Sequence, residues 1–89
     1  MNTRQTIIVS AVRTSMGSFS GAFSNVPATK LGSIAIAEAL KRVRISGEQV
    51  DDVYVGCVLP AGLGQAPARQ AAIGAGIPHS VGATTVNKV

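Results

Sequence analysis

The sequence predicts an α/β fold made of successive β-α-β units, and three observations carry that expectation. Short runs rich in Val, Ile and Thr recur three times along the 89 residues. Between them lie one segment with clear helical periodicity and one short Ala-rich segment, each flanked by turn residues. The apolar material is almost entirely aliphatic, since Phe19, Phe23 and Tyr54 are the whole aromatic set, and such side chains usually fill the layer between a sheet and its helices. Strands joined by helical crossovers form a mixed, mostly parallel sheet covered by helices.

Taken in order, residues 6–12 read as a buried strand, because Ile7, Ile8, Val9, Ala11 and Val12 make a nearly continuous apolar run. Residues 13–27 turn to Ser, Gly and Asn and read as a long ordered connection pinned by Phe19 and Phe23. Over residues 28–44, Leu31, Ala35, Ala39, Leu40 and Val43 fall on one helical face, with Lys30, Ser33, Lys41 and Arg42 largely opposite. Ser46 and Gln49 have capping-box spacing for one short turn. A second strand is expected over residues 53–59, ended by Pro60. The Gly-rich turn 60–66 then leads to Pro67, well suited to the first position of a helix over residues 67–76, with Gly76 and Pro78 as stop signals. The third strand is expected over residues 83–89, and ligands of such sheets bind beyond the carboxyl ends of the strands.

Charge and composition exclude several functions. The net charge of +4 is scattered, with one basic cluster, Lys41, Arg42 and Arg44, at a helix end where the helix dipole favours it. No aromatic side chains interleave with it, so nucleic-acid binding is not expected. One cysteine, Cys57, excludes an internal disulfide, and no apolar run approaches the ~18 residues of a membrane span. The first 37 residues hold no Asp or Glu, as in a mitochondrial leader, but the apolar run at Ile7 begins too early to leave room for one.

The tempting motifs fail on detail. Gly62-x-Gly64 resembles a dinucleotide-binding turn, but Pro67 stands where a third glycine belongs, and Asn87 or Lys88 stands where an acid for the ribose would be. Cys57 lies in an apolar run and reads as a small hydrophobe, and His79, the only histidine, as a surface loop residue. No pair of metal ligands at useful spacing and no nucleophile elbow appear.

Longer stretches resemble one family. The opening Ile7-Ile8-Val9-Ser10-Ala11-Val12-Arg13-Thr14 with Gly17, Phe19 and Gly21, the turn from Gly56 through Leu63, Gln65 and Arg69 to Ala71, and the ending Thr84-Thr85-Val86-Asn87-Lys88-Val89 are similar to signatures of the thiolases, in the acetyl-CoA acetyltransferase branch. Ser15 departs from the proline usual after Arg-Thr, and Cys57 occupies a variable family position, so it inherits no catalytic role.

The resemblance implies that residues 1–89 form part of the thiolase N-terminal domain, an incomplete domain corresponding to roughly the first quarter of the chain, and that the intact protein is an acyltransferase. It would interconvert two acetyl-CoA with acetoacetyl-CoA and CoA through an acyl-cysteine. A longer-chain 3-ketoacyl-CoA thiolase and a non-catalytic assembly fragment are the alternatives. The nucleophilic cysteine is expected directly after Val89, at a strand end and helix N-terminus that favour its thiolate. An assisting histidine, a second cysteine and the oxyanion holes also fall outside these residues, so no catalytic group is expected within them. Residues 63–69 and 84–88 are the expected interface or site-supporting stretches, with Leu63, Gln65, Arg69, Thr84, Asn87 and Lys88 as candidates.

Expected partners are acyl-CoA substrates, the remainder of the chain and further copies in a homodimer or homotetramer. No cofactor, metal, nucleic acid or membrane is expected. The expected compartment is the cytoplasm, with the mitochondrion as the alternative. Of three explanations for the stop at Val89, an engineered boundary, proteolysis or a modified cysteine as the next residue, the last is expected. Residues 1–89 alone, with an open sheet edge, are expected to be unfolded or insoluble.

Overall fold

The computed structural model describes residues 3–89. Its elements are α1 (Ala28–Arg42), a 3₁₀ turn (Gly47–Gln49), β1 (Asp52–Gly56), α2 (Pro67–Gly74) and β2 (Gly82–Val86). The strands pair in parallel, Asp52 opposite Gly82 through to Gly56 opposite Val86. With α2 as the crossover, the expected β-α-β order holds over residues 52–86.

Both strands alternate between exposed and half-buried residues. Val53, Val55, Ala83 and Thr85 point inward, while Tyr54, Thr84 and Val86 lie on the open face. Among the described residues the helices therefore cover one face of the sheet. α2 packs on both strands and α1 packs on α2. The buried apolar core among the described residues is small, formed by Pro67, Ala68, Ala71, Ala72 and Ile77.

The first expected strand does not form. Residues 6–12 adopt no regular structure, and Ile8 is 89% exposed. A strand exists only through a ladder partner, and β1 and β2 pair with each other and not with this segment. Phe19 is a second correction: it is fully exposed and pins nothing. Phe23 alone packs, against Gly17, where a Cβ would lie 3.0 Å from its ring.

The two helices pack side by side and advance in the same direction, with Thr29 near Pro67 and Ser33 near Ala71 and Gly74, and small residues make this contact. Thr29 faces Pro67 and Ala71 across a small cavity, and a Cβ on Gly32 would lie 3.2 Å from that of Ala71. A Cβ on Gly74 would overlap Ser33 Oγ outright. Ser33 is thus the one buried residue of α1, 7% exposed, rather than part of its polar face. Its hydroxyl donates to the Ala71 carbonyl at 2.9 Å, with the Thr29 carbonyl at 3.0 Å. A polar group is buried there because it is bonded.

Both helices end in the same way. After α1 the Ile45 N–H reaches the Leu40 carbonyl and the Arg44 N–H that of Lys41, with Arg44 left-handed at φ 57°. After α2 the Ile77 and Gly76 N–H groups bond Ala72 and Ile73, and Gly76 takes φ 90°. These are Schellman caps, and they stop each helix two residues short of its expected end. The 3₁₀ turn carries the expected capping box of Ser46 and Gln49, with the Ser46 N–H donating to Gln49 Oε1 at 2.9 Å.

Candidate functional site

Parallel pairing brings the carboxyl ends of both strands to one edge, together with the Gly-rich turn and the start of α2. β2 ends at Val86 rather than at Val89. The last ladder bond runs from the Cys57 N–H to the Val86 carbonyl at 2.9 Å. Beyond it the other chain turns away through residues 58–66, so Asn87 has nothing to pair with. For the same reason β1 ends at Gly56, three residues before its expected end.

The turn is held by a side chain that the sequence does not single out. Gln70 Nε2 donates to the carbonyls of Leu63 and Gln65, both at 2.7 Å. One amide group thus closes the turn from within α2, while Gly62 and Gly64 supply the left-handed backbone at φ 78° and 82°. Ala66 is also left-handed, at φ 45°, and delivers Pro67 as the first helical residue.

The helix start lacks a side-chain cap of its own. Instead the Ala68 N–H, on a residue with 0% exposure, donates to Thr85 Oγ1 at 3.1 Å. A residue of β2 therefore does the work of an N-cap for α2. Thr85 falls within the expected 84–88 site-supporting stretch, but no capping pattern near Pro67 points to its capping role. The only available signal is the period of two that turns Ala83 and Thr85 inward.

Three of the six candidate residues come together here. Leu63 is half-buried and lines a cavity of about 70 Å³ with Val55, Cys57 and Pro67. Gln65 and Arg69 share an open groove along α2 with Ile73. Arg69 Nη2 also donates to the His79 carbonyl at 2.9 Å, tying α2 to the loop that enters β2. Thr84 lies apart, on the open face of the sheet opposite Tyr54. Asn87 and Lys88 are exposed beyond the end of β2.

Cys57 is half-buried one residue past β1, and His79 is exposed. Among the described residues no group of three or more His, Cys, Asp or Glu side chains could hold a metal ion. No helix there is long and apolar enough to cross a membrane. The chemistry available at this edge is support and recognition by backbone, amide and guanidinium groups.

Comparison with known proteins bears on what is supported. The family model for the thiolase N-terminal domain matches residues 6–89. The acetyl-CoA acetyltransferase of Schizosaccharomyces pombe is 65% identical over 82 residues, covering 92% of this chain and 21% of that protein. Acetyl-CoA acetyltransferase 2 of Arabidopsis thaliana is 61% identical over 89 residues, covering 100% of this chain and 22% of its own. A mitochondrial acetyl-CoA acetyltransferase of Danio rerio is 60% identical over 85 residues, covering 96% and 20%. The chain spans about a fifth of the length of the relatives it matches.

Proposed function

Since the chain belongs to the thiolase family, through the family's N-terminal domain, we propose that it is part of an acetyl-CoA C-acetyltransferase. The reaction interconverts two acetyl-CoA with acetoacetyl-CoA and CoA. A base takes the proton of a cysteine thiol, the thiolate attacks the thioester carbonyl of one acetyl-CoA, and CoA leaves as its thiol with the proton returned by that base. The second acetyl-CoA loses an α-proton to a base, and its enolate attacks the acetyl-cysteine, forming the carbon–carbon bond and releasing the thiolate. Substrates are CoA thioesters, and no cofactor enters the balance.

One observation carries the reading. The turn that resembles the family folds at the carboxyl ends of two parallel strands, with Asn87, Lys88 and Val89 leaving that same edge. In this scheme the nucleophile follows Val89. The hydrogen bond from Ala68 to Thr85 sets where the segment leaves, because it ties β2 to the start of α2. Subunits associate as a homodimer or homotetramer through Leu63, Gln65, Arg69 and the 84–88 stretch. Residues 1–89 belong to one incomplete domain, and the compartment is the cytoplasm, although some relatives are named as mitochondrial.

The deciding experiment uses the intact protein with CoA and either acetoacetyl-CoA or a long-chain 3-ketoacyl-CoA. Faster turnover of acetoacetyl-CoA is expected. A preference for the long chain would make it a longer-chain thiolase, and no turnover of either would leave an assembly role.

A further inference from the structure

We draw no further inference here: the strongest candidate, the open face of the two-stranded sheet around Tyr54, Thr84 and Val86, carries nothing because no feature of the structure shows what covers it.

Discussion

Substituting Gly74 by Ala tests whether the two helices are held at a distance set by Ser33. The added Cβ overlaps Ser33 Oγ and lies 3.1 Å from Ser33 Cβ, so the hydroxyl must turn away or the helices must part. Overpacking of this kind costs about 1–3 kcal/mol, and loss of the bond to Ala71 about 1 kcal/mol more. The better helix propensity of Ala returns at most about 1 kcal/mol. A net loss of about 1–3 kcal/mol is expected for Gly74→Ala alone.

Ser33→Ala alone is expected to cost only about 1 kcal/mol, since the Ala71 carbonyl keeps the Ala75 N–H at 3.1 Å. In that background the overlapping oxygen is gone, and Gly74→Ala should cost less than about 1 kcal/mol. The assay is the thermal unfolding midpoint of the intact protein for the parent, both single variants and the double variant. Gly74→Ala is expected to lower the midpoint less in the Ser33→Ala background than in the parent. If Gly74→Ala lowers the midpoint equally with and without the Ser33 hydroxyl, the Ser33–Gly74 contact does not set the helix spacing.

Three further outcomes are expected. Thr85→Val leaves the buried Ala68 N–H without an acceptor, at about 1–3 kcal/mol, and its amide should exchange faster with deuterium while Thr85→Ser keeps it protected; equal protection in all three proteins would refute the cap. Arg44→Gly relieves a left-handed side-chain residue in the α1 cap and should raise the unfolding midpoint by the equivalent of about 0.5–1 kcal/mol; a lower midpoint would contradict that account. Arg69→Ala loosens the tie to His79 and should weaken subunit association, read as a lighter mass in sedimentation of the dilute intact protein. An unchanged mass and activity would remove Arg69 from the interface.

How much of this was legible depended on whether the physics was local. The face of α1 defined by Leu31, Ala35 and Leu40, the turn chemistry at Gly62 and Gly64, and the Pro67 start are local, and their elements appear where the pattern puts them. The 6–12 strand was not legible, because a run such as Ile7-Ile8-Val9 states only a preference and pairing needs a partner. The ends of β1 and β2 likewise depend on each other, through the Cys57 to Val86 bond. Ser33, Gln70 and Thr85 act across elements, and hydropathy ranks all three as surface residues. A pattern of small residues at Gly32, Ser33, Ala71 and Gly74 was the one available hint of close helix approach. The candidates Leu63, Gln65 and Arg69 came from family resemblance rather than from any rule of spacing.

The parallel course of α1 and α2 has an electrical consequence. Neighbouring helices in an up-and-down bundle oppose their dipoles, whereas here the two moments add. At one pole Lys41 and Arg42 lie in the last turn of α1 and offset the partial negative charge. At the other pole neither helix has an acidic residue in its first turn, so the partial positive charge there stands uncancelled by local side chains. The layer is therefore polarised along its length as a two-helix unit, and the strand ends lie at its positive pole.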